Sequence, residues 1–394
     1  DKSMNKIRKI DLVYCVAFSL FVISRILSHT SYEIPAGIKH AMTLISTLIV
    51  VLKIVLYDKL TLKEMCVYGA VVGIASISTI SSKEYELLCS IIFIVGAKNV
   101  LFDLIAKSYR FVASTLMGTT FILSVMGLLK ENLFYRGEVL RRTFGYSYPT
   151  DFVAMIFYIL LADWFLCITH KKSLTARIMV YAVVAALTLL FCDSRLGSLF
   201  IALLIPVSLM SKYLFNEKKK NALIFFFEKY SIVICAMIST LLVNLYMKYP
   251  SSSILHTLDA ISSFRITLTA WAVKMFGYPL WGKDIYTEYL ATNNTQWFFI
   301  DNSYYVMFIQ YGVILSIVIL ILFTLNNKKM LLKGNDIIPI VFCLIALNSI
   351  VGQQFFLLEY NIFLLTLRAN IQQKRDQKNE VEKIATKKRI FKWI

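Results

Sequence analysis

The chain has 394 residues, of which 58% are hydrophobic and only 17% charged, and its mean hydropathy is +0.66. That leaves too little polar surface to cover a soluble globule, and uncharged runs near bilayer length recur throughout, the pattern of a polytopic helical membrane protein. The net charge of +18 reflects orientation, because Lys and Arg collect in cytoplasmic loops, so nucleic-acid binding is not needed to explain it.

The three residues ahead of Met4 look like a foreign remnant, and Asp11–Leu27 lacks a small-residue cleavage site, so it reads as a first span. Spans are expected at 11–27, 38–57, 65–80, 87–104, 111–128, 152–169, 176–192, 196–214, 230–247, 303–325, 337–352 and 354–368. This gives an all-α, polytopic integral membrane protein, with about twelve transmembrane helices in one membrane domain over 1–394. Between the spans lie an external loop at 129–151 and a larger external loop at 248–302. The basic tail at 370–394 suits an amphipathic helix on anionic lipid, with Phe391 and Trp393 dipping in, or plain solvation. The cysteines (Cys15, Cys66, Cys89, Cys167, Cys192, Cys235, Cys343) sit in apolar segments without paired spacing, which points to small buried hydrophobes rather than disulfides or zinc ligands.

With both termini cytoplasmic, the only lysines outside are Lys39, Lys83, Lys130, Lys248, Lys274 and Lys283. Arginine does not follow this bias: Arg25, Arg136, Arg141, Arg142, Arg195 and Arg265 all fall on the outer side. Arginine is a planar fork that binds phosphate bidentately, and charge at membrane depth usually faces an internal cavity. An outer cavity for an anion such as a lipid-linked pyrophosphate explains the set. The competing reading is structural pairing of Arg195 with Asp193, Arg142 with Asp151 and Arg265 with Asp259.

In the large loop, Leu258, Ile261, Phe264, Leu268, Trp271, Ala272 and Met275 recur at helical spacing, with Arg265 flanking the stripe. Trp281, Tyr286, Tyr289 and Trp297 suit stacking on sugar rings or a membrane-interface belt. Asp301 either caps the following helix or accepts a proton from a sugar hydroxyl, and His256 is either a base or an ordinary loop histidine. Glu359 and Asn361 are polar groups inside the last span, available to an arginine such as Arg195. No nucleotide-phosphate loop, Gly-rich dinucleotide turn, Asp-x-Asp or metal-spaced cluster is present, so neither cofactor nor metal is expected.

Four stretches, in this order, resemble the Wzy-type polysaccharide polymerases of the O-antigen ligase/polymerase superfamily: RRTFGYSYPTDF (141–152), CDSRLGSL (192–199), SSFRITLTAWAVKMFGYPLWGKD (262–284) and DNSYYVMFIQYG (301–312). The resemblance implies a GT-C-like, metal-independent glycosyltransferase on the outer face of a bacterial cytoplasmic membrane. It would polymerise polyprenyl-pyrophosphate-linked repeat units into O-antigen, capsule or a similar polysaccharide. It assigns pyrophosphate binding to Arg142, Arg195 and Arg265 with Arg141 beside them, and catalysis to Asp301, Arg195 and Arg265. Sugar contacts would come from Asn302, Tyr304, Tyr305 and His256. The implied partners are lipid-linked donor and acceptor glycans, the bilayer, a chain-length regulator and a flippase. Where the family often has His-Pro-Asn, this chain has Tyr148-Pro149-Thr150. The rival readings are a ligase acting on another acceptor and a transporter or flippase of lipid-linked oligosaccharide.

Overall fold

Apolar runs separated by short polar breaks become helices in the computed structural model, which describes residues 8–210, 222–291 and 299–371. In chain order these are α1 (Lys9–Ser28), α2 (Ala36–Tyr57), α3 (Leu62–Ser82), α4 (Tyr85–Gly96), α5 (Phe102–Val125), α6 (Pro149–Thr169), α7 (Thr175–Cys192) and α8 (Arg195–Leu209). They continue as α9 (Ala222–Lys248), α10 (Ser253–Ile261), α11 (Arg265–Phe276), α12 (Ile285–Ala291), α13 (Ser303–Tyr305), α14 (Val313–Leu332) and α15 (Ile337–Asn348). Among the described residues the only sheet is a hairpin of β1 (Phe134–Arg136) and β2 (Val139–Arg141). The described residues are thus almost wholly helical, and seven of their helices (α1, α2, α3, α6, α7, α9, α14) are long and apolar enough to cross a membrane. Their outward faces carry large apolar side chains such as Val55, Leu62, Ile80 and Leu190, each more than 65% exposed, a surface suited to lipid.

Local chemistry sets the helix ends. Thr61 and Glu64 form a reciprocal capping box at the start of α3, and Pro149 occupies the first turn of α6, where its missing N–H costs nothing. Hydroxyls join neighbouring helices, Ser24 to Thr43 at 2.9 Å and Thr188 to Ser198 at 2.8 Å.

The loops gather at two ends. The lysine end holds the starts of α1, α3 and α5, where Lys53, Lys98 and Arg368 meet Asp58 and Glu64. The loop end holds the end of α1, the starts of α4, α6 and α8, the β-hairpin and the segments 249–291 and 299–312.

Several expectations are revised. Residues 354–368 are not a helix: short 3-10 turns at Gln354–Phe356 and Ile362–Leu367 interrupt an otherwise irregular chain. This chain is buried, and it runs from Ser303 at the loop end, which bonds the carbonyls of Ser349 and Gly352, to Val100 at the lysine end, whose carbonyl accepts from Asn370. Asn361 diverts the backbone, donating to the Phe355 carbonyl at 2.7 Å and accepting from the Phe363 N–H at 3.2 Å, side-chain bonds that compete with a helical ladder. Enclosure by the surrounding helices is what lets such backbone persist.

The expected span 303–325 is broken. A wide π-type turn, Val306–Tyr311, and Gly312 separate α13 from α14. The apolar stripe from Leu258 is likewise two helices, with Ser263 and Phe264 in the left-handed region between α10 and α11. No cysteine forms a disulfide, and Cys66 is exposed rather than buried. The basic tail beyond residue 371, the Lys218–Lys220 loop and Trp297 lie outside the described residues.

Candidate active site

The break between α10 and α11 decides what Arg265 can do. The Asp259 carboxylate accepts from the Ile266 and Thr267 N–H groups at 3.0 and 3.1 Å, so it caps α11 from the preceding helix and does not pair with Arg265. Arg265, the first residue of α11, instead reaches Asp301, Nη2 to Oδ2 at 3.2 Å, with both side chains about six-sevenths buried (14% and 16% exposed). Asp301 is in turn released from capping by its neighbour. Asn302 Oδ1 accepts from the N–H groups of Tyr304 and Tyr305, and its Nδ2 donates to Ser239 Oγ at 2.7 Å.

These bonds correct three expected sugar contacts. Asn302 is buried as a helix cap, Tyr304 is fully buried and donates to the Ala346 carbonyl, and Tyr305 is fully buried against Tyr278. All three side chains are enclosed by protein rather than open to the surface. His256 is exposed and bonds the Pro250 carbonyl, and no contact brings it to Arg265 or Asp301.

The large loop is pinned to the broken helix by direct backbone contact. The carbonyls of Pro279 and Leu280 accept from the N–H groups of Val313 and Ile314, capping α14. Gly312 has φ of 92°, and a Cβ there would lie 2.4 Å from the Gly282 nitrogen, so only glycine permits the approach. The π-type turn presents Gln310, which donates to Glu84 Oε1 at 2.6 Å. Burial, followed by the like charge of Glu86, pushes the Glu84 carboxyl up to about 7.

Beside this lies a buried charge network that the sequence did not disclose. Glu359 contacts His29 Nε2 at 3.1 Å and Arg25 Nη2 at 3.5 Å, and Arg25 also pairs with Glu86. The partner expected for Glu359 was Arg195; Arg25 and His29 take its place. Burial works against a charged His29, but the hydrogen bond and charge of Glu359 outweigh it and hold the imidazole above its ordinary value. Asp151, in the first turn of α6, lies within the fields of His29, Asp301 and Glu359 and has no hydrogen-bond or ion-pair partner among the described residues. Its expected partner, Arg142, is taken by Glu131, Nε to Oε1 at 3.0 Å and Nη2 to Oε2 at 2.7 Å.

The other arginines form a rim. Arg195 meets Asp193 at 3.3 Å as expected, remains 64% exposed, and shares that carboxylate with Arg136. Arg141 is buried, donates to the Cys192 carbonyl at 3.0 Å and leaves Nη2 without a partner. Arg141, Asp301 and Asp151 all act on the Tyr148 hydroxyl, so rim and cluster adjoin. Of the aromatics, Tyr289 is buried, while Trp281 and Tyr286 are partly exposed.

The structure therefore brings Arg265 and Asp301 together, places Arg141, Arg142 and Arg195 on an adjoining rim, and leaves His256 apart. Sequence reasoning named Asp151 only as a partner for Arg142 and did not single out Glu84, Glu86 or His29; the one available signal was polar residues beside helix ends that share the loop end. Among the described residues no three His, Cys, Asp or Glu side chains are grouped to hold a metal. No family model, curated protein or solved structure matches the chain.

Proposed function

We propose that the protein is a membrane glycosyltransferase that polymerises polyprenyl-pyrophosphate-linked repeat units into a surface polysaccharide at the outer face of a bacterial cytoplasmic membrane. The observation that carries this reading is the Arg265–Asp301 pair at 3.2 Å, which joins a phosphate-binding fork to a carboxylate from a separate stretch of chain. In this reading α4, α5, α8 and α15 cross the membrane with the seven longer helices. The buried irregular segment 349–371 makes the twelfth crossing, so both termini are cytoplasmic and the loop end faces outward.

The donor pyrophosphate docks on Arg265 and displaces Asp301 from it. The freed carboxylate takes the proton of an acceptor hydroxyl as the hydroxyl oxygen bonds to the anomeric carbon. The bond from that carbon to pyrophosphate breaks with its electron pair going to pyrophosphate, and configuration inverts. Arg265 and the rim guanidiniums stabilise the charge on the leaving group, the kind of electrostatic help that dominates many catalysed transfers. Asn302 and the cap on α11 keep the two reacting side chains in register.

The test is to incubate purified protein with lipid-linked repeat units in detergent and resolve the products by gel. A ladder of lengthening chains supports the reading, and intact substrate alone removes it. A second reading, a proton-coupled flippase for the same lipid, draws on the buried Arg25–Glu86–Glu359–His29 network. It requires lipid movement across vesicles without any new glycosidic bond.

A further inference from the structure

One side of the bundle carries a groove that the charge cluster does not use. It lies between α5, α6 and α7, has a volume of about 550 Å³, and is lined almost wholly by apolar side chains, including Phe121, Phe152, Ile156 and Leu187. Phe121 and Leu187 are 40% and 46% exposed, so the groove opens on the surface that faces lipid.

Its length is informative. On α5 it runs from Ser114 to Val125, and at about 1.5 Å per residue that is roughly 16 Å, half of a hydrocarbon core of about 30 Å. The groove therefore spans one leaflet, and its upper end is at the loop end, where Arg142, Phe191 and Cys192 line it.

That end carries surplus positive charge. Arg136, Arg141, Arg142 and Arg195 are served by only two ion-paired carboxylates among the described residues, Glu131 and Asp193. Burial, then the neighbouring Arg136, holds the Arg141 guanidinium below its ordinary value, and its Nη2 has no acceptor. An anion there would relieve both.

Gly118 completes the picture. A helix-interior glycine costs about 0.5–1 kcal/mol relative to alanine, so it needs a reason. Here it lines the groove, and a Cβ added to it would meet nothing within 4 Å, so the space beside this position is open to a larger side chain.

We propose that the α5–α6–α7 groove seats the isoprenoid chain of the lipid-linked substrate, with its phosphate at the rim of Arg141, Arg142 and Arg195. The choice of an isoprenoid rests on the polymerase reading, and on the rim adjoining Asp301 and Asp151 through Tyr148. Binding is measured on the full chain in detergent with a fluorescent polyprenyl monophosphate, with phosphatidylglycerol as competitor. Gly118→Phe fills the groove and is expected to weaken binding at least tenfold. Gly73→Phe, on exposed α3 with equally open space, leaves binding unchanged. Leu187→Trp narrows the groove from α7 and gives the same loss if Gly118→Phe fails to fold. Wild-type affinity in the groove variants overturns the proposal, as does equal displacement by phosphatidylglycerol, which would make the occupant bulk lipid. Selective binding by a wild-type protein that builds no ladder upholds the groove and removes the polymerase reading instead.

Discussion

At the lysine end, buried and half-buried carboxylates are closed off by bases. Lys53 holds Asp58, Lys98 and Arg368 share Glu64, and Arg110 and Arg177 share Asp163. At the loop end the matching is incomplete. Asp151 has no partner among the described residues, and Glu84 is met by the Gln310 amide rather than by a base. Both ends contain buried charge, so burial alone does not separate structure from function. What separates them is charge left unmatched, because an unmatched buried ion is costly unless something outside the fold completes it.

The largest expected effects come from one cation at each end. Lys53 is 2% exposed and donates to both Asp58 oxygens and to the carbonyls of Gly96 and Lys98. Lys53→Met strands Asp58 and should cost about 3–5 kcal/mol, read as a fall in melting temperature in detergent. Arg25→Met strands Glu86 and leaves Glu359 with His29 alone, at a similar cost of about 3–5 kcal/mol. The comparison is sharpened by activity per folded molecule: Lys53→Met keeps it and Arg25→Met loses it. Equal losses in both variants would erase the functional distinction between the ends.

A smaller, pH-dependent effect belongs to Glu84. Its carboxyl is raised to about 7 in the folded protein, while an unfolded glutamate titrates near 4.3. Between these values the folded state binds more protons, so wild-type stability falls as pH rises from about 4.3 to about 7 and then levels off. Glu84→Gln keeps an acceptor for Gln310 and removes this loss, so its melting temperature should climb relative to wild type across that window. Parallel profiles for the two proteins would mean that Glu84 titrates normally.

The smallest change is expected at the surface of the lysine end. Lys107 pairs with Asp103 one turn away and is 49% exposed. Lys107→Ala should shift stability by only about 0.2–1 kcal/mol, measured by the same melts, and should leave turnover unchanged.

Much of the loop end was legible in the sequence. Arginines that depart from the lysine pattern marked it, and Arg265 and Asp301, chosen from separate stretches, are in contact. What was hidden has physical causes. The helical period runs unbroken through Phe264, so the left-handed break that frees Arg265 leaves no trace in hydrophobicity. Residues 354–368 are apolar enough to imitate a span, and only the backbone bonds of Asn361 show why they do not coil. Asp151 seemed paired because Arg142 is near in sequence, whereas Glu131, on the far side of the hairpin, is nearer in space. Asn302 rather than Asp301 is the cap, a choice between adjacent residues that composition cannot make.

The most direct test of the central claim is ladder formation from lipid-linked repeat units by wild-type protein and by Arg265→Lys, at equal folded fraction judged from matched melting temperatures. Lysine keeps the charge but not the planar fork. The account predicts a ladder from wild type and, from Arg265→Lys, a rate lower by about 10²-fold or more, the scale of losing one preorganised electrostatic contact. Equal ladders from both proteins, or none from wild type with intact substrate, would contradict it.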